Sequence, residues 1–215
     1  MTHRYWPLFD LRLSTADLEL RPMTEDDLAA LCDLLPDDVE QDPAATTYDV
    51  ADPRTRRGTV LHQTYWKHYG TWSVDAWRLQ FVVRRAGEAI GMQELEGNDF
   101  RTLRTVDTSS FLVTEARGLG FGKQMRAAVL ALAFGPLGAQ AAVSSAWHDN
   151  HASLGVSRSL GYRPNGVSLL ARDGAADILS HLRMTRDEWL ATGLADGVLI
   201  GGFDPCRPLF GLPST

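Results

Sequence analysis

The centre of the chain shows the alternation of apolar and polar residues that is typical of half-buried β-strands. The segment "RLQFVVRR" places Leu79, Phe81 and Val83 on one side of an extended chain. The short turn "AGEA" separates it from a second apolar segment, "AIGMQELEG". This pattern predicts a β-hairpin. Another strand, "TVDTSSFLV", follows the hairpin.

Four other segments are predicted to be helices. In "TEDDLAALCDLL", Leu28, Leu31 and Leu35 fall on one helical face. Thr24 and Asp27 at its start resemble a capping box, in which a hydroxyl and a carboxylate satisfy the first N–H groups. The other predicted helices cover residues 55–69, "FGKQMRAAVLALAF" and "DNHASLGVSRSL".

The remaining strands decide the fold class. They are predicted around residues 18–21 and in "AAVSSAW", "GYRPNGVSLLAR" and "ADILSHLRMT". The order of elements is therefore β-α-α-β-β-β-α-β-α-β-β. Because helices are interspersed with strands and several strands are joined by short loops, we expect an α/β (α+β) fold with a mixed, mainly antiparallel sheet flanked by helices. The Pro- and Asp-rich stretch at 36–53 is predicted to be a loop.

The length of 215 residues favours a single domain that covers residues 1–215. Its core is predicted at 18–184, with apolar extensions at 1–17 and 185–215. The extensions contain the similar segments "WPLFDL" and "RPLFGL", which are too short to indicate a repeat. Each extension is predicted to pack either on the domain or on a partner subunit, which leaves a homo-oligomer open.

Composition and charge exclude several classes of protein. The net charge is −6 and the chain has no basic run, so nucleic-acid binding is disfavoured. Cys32 and Cys206 lie far apart without metal-binding spacing, which indicates structural thiols in a reducing compartment and no metal site. The most apolar stretch is interrupted by Gly135, Pro136 and Gly138, so no membrane span is expected. With no signal-peptide pattern at residues 1–10, the predicted location is cytoplasmic.

Three glycines stand between a predicted strand and a predicted helix, in the six residues from Arg117 to Gly122. Such a turn is suited to an anion, because its N–H groups and the helix dipole both favour negative charge. A P-loop does not fit, since Gly122-Lys123 is followed by Gln124 instead of Ser or Thr. A dinucleotide-binding fingerprint does not fit either, since its third glycine position holds Lys123. A plain turn with glycines for packing remains the alternative.

The glycine segment matches the pattern Arg/Gln-x-x-Gly-x-Gly/Ala. It resembles the pyrophosphate-binding loop of the GNAT superfamily of N-acetyltransferases. A second segment, "NHASLGVSRSLGY", resembles the Asn-x-x-Ser and Leu-Gly-Tyr/Phe motif of that superfamily, with Asn150 as a helix cap or a pantetheine contact. The resemblance covers residues 18–184. It implies that acyl-coenzyme A is bound by Phe111, Leu112, Val113, Arg117, Gly118, Leu119, Gly120, Phe121, Gly122, Lys123, Asn150 and Ser153.

The resemblance also implies an activity. Members transfer an acyl group from acyl-coenzyme A to a primary amine by direct attack in a ternary complex, without a metal. The donor here would be acetyl-coenzyme A or succinyl-coenzyme A, and the acceptor a protein N-terminus, a lysine or a small amine. The alternatives are a non-catalytic acyl-coenzyme A-binding or sensing module, and a self-associating structural protein that binds no coenzyme A.

Catalysis of this kind needs a base for the ammonium proton, an oxyanion donor and a proton donor for sulfur. Asp107, on the strand before the glycine loop, is the first candidate base, and Glu94 is the second; both could instead be surface charges. Ser153 or Ser157 could donate to the leaving thiolate, although some relatives have tyrosine at the Ser157 position. The oxyanion is expected to meet a backbone N–H near residues 112–113. Gln124 replaces a glutamate that is common in the ribosomal-protein acetyltransferase-like branch, so it is given no catalytic role.

The ends of the chain resemble a mycobacterial succinyl-coenzyme A-dependent transferase, through "WPLFDLR" and "GFDPCRPLFG". A succinyl group has a free carboxylate, which basic residues on the second predicted helix could bind. The same residues could equally form a solvated helix face. They are Arg54, Arg56, Arg57, Lys67 and His68.

Overall fold

The computed structural model describes residues 3–39, 49, 52–172 and 174–213. Part of the predicted loop at 36–53 therefore lies outside the described residues. The strands are β1 (Arg12–Ser14), β2 (Glu19–Pro22), β3 (Trp77–Arg85), β4 (Glu88–Gly97), β5 (Thr105–Leu112), β6 (Ala141–Trp147), β7 (Arg163–Arg172), β8 (Ala175–Thr185) and β9 (Leu199–Gly201). The helices are α1 (Glu25–Leu34), α2 (Pro53–Gly70), α3 (Phe100–Leu103), α4 (Phe121–Phe134), α5 (His151–Ser159) and α6 (Arg186–Ala191), with 3₁₀ segments at Pro7–Asp10, Thr114–Ala116, Leu194–Gly197 and Asp204–Phe210.

All the described strands belong to one sheet, whose order is β7-β8-β6-β5-β4-β3-β2-β1-β9. Each neighbouring pair is antiparallel except β5 and β6, which are parallel. This confirms the predicted mixed, mainly antiparallel sheet. The predicted hairpin is also confirmed: β3 and β4 are joined at Ala86 and Gly87, whose φ angles of 50° and 88° are both positive. Two positive φ angles give a turn whose twist matches that of the flanking strands.

The single parallel pair is short. β5 and β6 are paired only at Thr105–Ala141 and Val106–Ala142. Beyond these residues β5 continues beside β4, whereas β6 continues beside β8. The sheet therefore opens between residues 107–112 of β5 and 143–147 of β6, and we call this opening the fork.

The two faces of the sheet are covered by different helices. On one face, the buried side chains of α4 pack with Leu79, Phe81 and Val83 of β3. On the other face, α1 and α2 pack on Val82 and Met92. α1 begins at the predicted capping box, in which the Thr24 and Asp27 side chains each bond to the other residue's backbone N–H. The sheet thus separates a large core beneath α4 from a smaller core beneath α1 and α2.

Both terminal segments pack on the domain. β1 pairs with β2 on one side and with β9 on the other, so the two ends of the chain extend the sheet. Leu8 and Phe210, from the two similar apolar segments, are fully buried. The sequence did not predict β1, β9, α3 or α6, because segments of three to six residues are too short to show a periodic pattern.

Replacing Phe210 with Ala should lower the free energy of unfolding by about 3–5 kcal/mol, because a fully buried aromatic side chain is lost. Its ring packs edge-to-face on Trp72 and Trp77, with centroids 5.4 and 5.0 Å away. Urea unfolding measures the change. Leu199→Ala on β9 is the control, since Leu199 is 74% exposed and should cost under about 0.5 kcal/mol. A Phe210 variant as stable as the wild type would mean that the C-terminal segment contributes nothing to the folded unit.

Two kinds of feature are not found in the part of the chain that the structure describes. None of its helices combines the length and the apolar character that crossing a lipid bilayer requires. Its His, Cys, Asp and Glu side chains form no group of three or more that could hold a metal ion. The two cysteines are free thiols, and Cys206 is buried.

Candidate active site

The glycine segment leads from the end of β5 into α4. Gly118 and Gly120 have φ angles of 73° and 85°, the left-handed region that side chains rarely adopt. A Cβ atom at either position would meet no other atom within 4 Å. The glycines are therefore required by the backbone and not by close packing, and open space lies in front of the loop.

The N-terminus of α4 has no side-chain cap. Its N-cap residue is Gly120. In contrast, Thr24, Asp52, Asn150 and Thr185 each accept a hydrogen bond from a first-turn N–H of α1, α2, α5 and α6. The first N–H groups of an uncapped helix have no partner within the helix, and the helix dipole adds partial positive charge there. This arrangement suits a phosphate group.

The other residues of the loop are fixed by different contacts. Arg117 donates two hydrogen bonds to the Asp38 carboxylate, at 2.6 and 2.8 Å, and one to the Leu112 carbonyl oxygen. Phe121 is buried, and the Arg85 guanidinium lies 4.9 Å from its ring centroid. A Cβ atom at Gly122 would lie 3.3 Å from Val156, so this glycine allows α4 and α5 to approach. Leu119 is exposed and Lys123 is half-buried.

The end of β5 presents different backbone groups to its two edges. The Val113 N–H donates to the Ile90 carbonyl oxygen at 2.9 Å, so this predicted oxyanion donor is engaged with β4. Successive N–H groups of a strand point to opposite edges. The Leu112 N–H therefore points to the fork, and it is the better placed of the two donors.

The second motif forms the start of α5. The Asn150 side chain accepts a hydrogen bond from the Ser153 N–H at 3.0 Å, as a helix cap does. Ser157 is buried, and its hydroxyl donates to the Ser153 carbonyl oxygen. The same hydroxyl accepts a hydrogen bond from Arg126 of α4 at 2.6 Å. The structure therefore joins Ser157 to α4, beside the fork.

Three carboxylates share the face of the sheet that α1 and α2 cover. In the β4–β5 register, Glu94 lies opposite Ser109 and Glu96 lies opposite Asp107. Arg78 of β3 pairs with Glu96 at 2.8 Å and lies 3.8 Å from Glu94. We call Glu94, Glu96 and Asp107 the carboxylate cluster. Three carboxylates that lie close together favour a cation or a proton, and Arg78 offsets part of their charge.

Burial raises the pKa of Glu94 to about 7, and the neighbouring Glu96 carboxylate adds to the effect. Its carboxylate lies 3.5 Å from His68 Nδ1 of α2 and 3.4 Å from the Ser109 hydroxyl. Burial likewise raises the pKa of Asp107 to about 6, although the Thr108 N–H donates to its carboxylate at 2.6 Å. Both candidate bases therefore titrate close to the pH at which a general base works best.

The raised pKa of Glu94 has a consequence for stability. The folded protein binds the Glu94 proton more tightly than the unfolded chain does. The contribution of Glu94 to the free energy of unfolding therefore decreases as pH rises from about 4.5 to about 7. Glu94→Gln cannot ionise and should remove the decrease, worth about 3 kcal/mol. Urea unfolding of the wild type and of Glu94→Gln at pH 5 and pH 8 measures this decrease in the free energy of unfolding. Glu88→Gln, at an exposed position of the same strand, is the control. Parallel pH curves for the Glu94 variant and the wild type would contradict the expectation.

Sequence reasoning missed several residues near this site. Glu96 and Arg78 could have been found from the alternation of "RLQFVVRR" and "AIGMQELEG", which places them on the face of Glu94. His68 was assigned to a basic group, but the structure places it beside Glu94. Arg126 gave no signal, because nothing in a helical sequence shows which charged residue is buried.

Of the basic residues of α2, His68 lies beside the carboxylate cluster, whereas two arginines are paired elsewhere. Arg54 pairs with Asp33 of α1, and Arg57 pairs with Asp37. Arg54 and Asp33 lie on a groove between α1 and α2 with a volume of about 710 Å³, together with Cys32, Gly58, Thr59, His62 and other residues of the two helices. Two members of the predicted carboxylate-binding group, Arg54 and Arg57, are therefore already paired with carboxylates from this chain.

Comparison with known proteins agrees with these features. A family model described as "Acetyltransferase (GNAT) domain" matches residues 17–163. Among solved structures, RimJ of Mycobacterium smegmatis in complex with CoA-disulfide superposes with a TM-score of 0.68 at 19% identity, covering 87% of this chain and 96% of that one.

A second similar structure comes from Vibrio cholerae. Mutant forms of its spermidine/spermine N-acetyltransferase SpeG superpose with a TM-score of 0.65 at 17% identity, covering 83% of this chain and 99% of that one. At these identities the neighbours show the fold. The family match spans well over half of the chain, including the hairpin, the glycine loop, α4 and α5, and the chain therefore belongs to the GNAT acetyltransferase family.

Proposed function

We propose that this protein transfers an acetyl group from acetyl-coenzyme A to a primary amine, by direct attack of the amine in a ternary complex. The observation that carries the proposal is the position of the carboxylate cluster. Two carboxylates with raised pKa values lie on β4 and β5, and the uncapped glycine loop follows β5 after one short 3₁₀ segment. An anionic donor and a cationic acceptor thus have complementary sites at the two ends of one strand.

The donor site is formed by the glycine loop and the fork. The N–H groups at the start of α4 would bind the pyrophosphate of coenzyme A. The pantetheine arm would then extend into the fork, between β5 and the start of α5 at Asn150. This path brings the thioester towards the Leu112 N–H, which would stabilise the oxyanion.

The acceptor site lies on the α1 and α2 side of the sheet. An ammonium group is attracted by the carboxylate cluster, whose charge Arg78 offsets only in part. One of the neighbours named above, SpeG, is a spermidine/spermine N-acetyltransferase by the name it carries, and polyamines are primary-amine substrates. We therefore propose a protein N-terminus, a lysine or a small polyamine as the acceptor.

Asp107 is proposed as the general base. It lies immediately after the last β5–β6 pair and stays partly exposed, whereas Glu94 is 5% exposed. Asp107 takes one proton from the ammonium through intervening water, because the five residue steps of β5 from Asp107 to Leu112 span about 17 Å. The free amine then attacks the thioester carbonyl carbon. A C–N bond forms, the C–S bond breaks, and its electron pair goes to sulfur. Nitrogen loses its second proton to solvent, which leaves an amide and the thiolate of coenzyme A.

The proposed donor is acetyl-coenzyme A and not succinyl-coenzyme A. A succinyl donor needs a cation for its free carboxylate. Arg54 and Arg57 are paired with aspartates of this chain, which does not support their use as such a clamp.

The experiment is acyl transfer by the full-length protein. Acetyl- or succinyl-coenzyme A is incubated with spermidine, spermine, lysine and short peptides with free N-termini, and both thiol release and product mass are measured. We expect amine-dependent thiol release with a product heavier by one acetyl group. Binding of acetyl-coenzyme A without transfer to any acceptor would favour the non-catalytic module, and a preference for succinyl-coenzyme A would overturn the donor assignment.

A further inference from the structure

One charged residue interrupts the apolar surface of α4. The helix is buried continuously from Met125 to Phe134, and Arg126 is the only charged side chain in that stretch. Arg126 is 4% exposed. Placing a guanidinium in such an environment is costly unless an anion or several hydrogen bonds compensate it.

The compensation that the described residues provide is incomplete. Arg126 donates to the Ser157 hydroxyl at 2.6 Å and to the Ser110 hydroxyl at 3.4 Å. Its Nε is buried and has no hydrogen-bond partner among the described residues. Among the described residues, Asp107 and the buried Tyr162 interact with Arg126 through charge alone and not through a hydrogen bond. Burial correspondingly lowers the pKa of Arg126.

The position of Arg126 relates it to the fork. Ser110 belongs to the part of β5 that has left β6, and Ser157 belongs to α5, which follows β6. The guanidinium of Arg126 therefore links the two sides of the fork. It lies on the α4 face of the sheet, opposite to the carboxylate cluster. A molecule that enters the fork would meet a cation on one side and carboxylates on the other.

We propose that Arg126, which is positioned by the Ser110 and Ser157 hydroxyls, forms a buried anion subsite that binds the sulfur of coenzyme A as the leaving thiolate. The inference rests on the proposed function and adds a residue to it. When the C–S bond breaks, the electron pair goes to sulfur, and the guanidinium stabilises that negative charge without transferring a proton. Solvent protonates the sulfur after release. The cation thus supplies in this chain what a proton donor supplies elsewhere.

The subsite has a direct readout that does not depend on turnover. Binding next to Arg126 should lower the pKa of the coenzyme A thiol by about 1–2 units, because an opposite charge favours the ionised form. The thiolate is followed by its ultraviolet absorbance as coenzyme A is titrated with the wild type, Arg126→Met and Arg126→Lys. The Met variant should bind coenzyme A with the thiol pKa of free coenzyme A, and the Lys variant should recover most of the decrease.

Two controls isolate the effect. Arg158→Met removes an exposed arginine of α5 and should leave the thiol pKa lowered. Repeating the titration in Asp107→Asn removes the nearest carboxylate that interacts with Arg126, so a change in that group cannot imitate the result. Urea unfolding of each variant checks that the fold persists, and desulfo-coenzyme A, which has no sulfur, should bind the wild type and Arg126→Met equally.

The outcomes separate the inference from the proposed function. A lowered thiol pKa in the wild type that Arg126→Met abolishes supports the subsite, as does a kcat for acetyl transfer that falls about 100-fold or more. A thiol pKa that Arg126→Met leaves lowered overturns the subsite while acyl transfer stands. A loss confined to succinyl-coenzyme A overturns it as well, because the anion would then be the acyl carboxylate. Failure of the wild type to bind coenzyme A would overturn the proposed function itself.

Discussion

Asp107→Asn should lower kcat for acetyl transfer by about 10²–10³-fold, while the KM for acetyl-coenzyme A stays nearly unchanged. Asparagine keeps the size of the side chain but cannot accept the ammonium proton, and general base catalysis contributes about this much. The donor site at the glycine loop is untouched by the change. Steady-state kinetics with the best acceptor from the amine panel measure both constants.

The pH dependence of kcat/KM tests whether Asp107→Asn acts through the loss of a proton acceptor. In the wild type, kcat/KM should rise as pH passes through about 6, because Asp107 must lose its proton to act as a base. The variant should lose this acid limb. Glu88→Gln, an exposed carboxylate on β4, is the matched control and should keep it. An acid limb that persists in Asp107→Asn and disappears in Glu94→Gln would transfer the role of base to Glu94.

Gly120→Val should weaken the binding of coenzyme A by about 100-fold or more, equivalent to about 3 kcal/mol. The φ angle of Gly120 is 85°, so a β-branched side chain strains the loop and turns its N–H groups away from their present direction. The new side chain would also enter the open space in front of the loop, where the phosphates are proposed to lie. Calorimetric titration with coenzyme A measures the affinity.

Gly174→Val is the matched control for backbone strain. Gly174 has a φ of 81°, and a Cβ atom there would also meet nothing within 4 Å, but it precedes β8, which β6 separates from β5 in the sheet. It should show a similar loss of stability and an unchanged affinity. Equal affinity of Gly120→Val and the wild type would show that coenzyme A does not bind at this loop.

The elements that the sequence predicted well are those whose pattern is local. α4 and β6 begin and end where the apolar pattern and the flanking glycines predict. The capping box of α1 is a relation between residues three apart, and the β3–β4 hairpin depends on two turn residues. The glycine loop belongs to the same class, since its function depends on backbone conformations that only glycine adopts easily.

The terminal segments show where local patterns end. The similarity of "WPLFDL" and "RPLFGL" indicated that both had to be covered, but not by what. Their partners are far away in the sequence: Trp72 donates a hydrogen bond to the Leu209 carbonyl oxygen, and β1 pairs with β9 across nearly the whole chain. Such contacts depend on the closed core, because a three-residue strand is stable only when its neighbours are already in place.

By itself, the sequence determined the order of the main helices and strands, the glycine loop and the presence of Asp107 and Glu94 on strands. It did so because secondary-structure propensity, helix capping and backbone conformational freedom depend on residues that are close in the sequence. Only the tertiary structure decided that Asp107 shares a face with Glu94 and Glu96, that Arg54 and Arg57 of α2 pair with aspartates, and that Arg126 is buried beside the fork. The physical reason is that sheet register and helix packing bring together residues that are distant in the sequence, and only then are side chains buried and charges paired. Burial and charge pairing in turn set the pKa values, and they set which anion and cation sites remain accessible for the proposed chemistry.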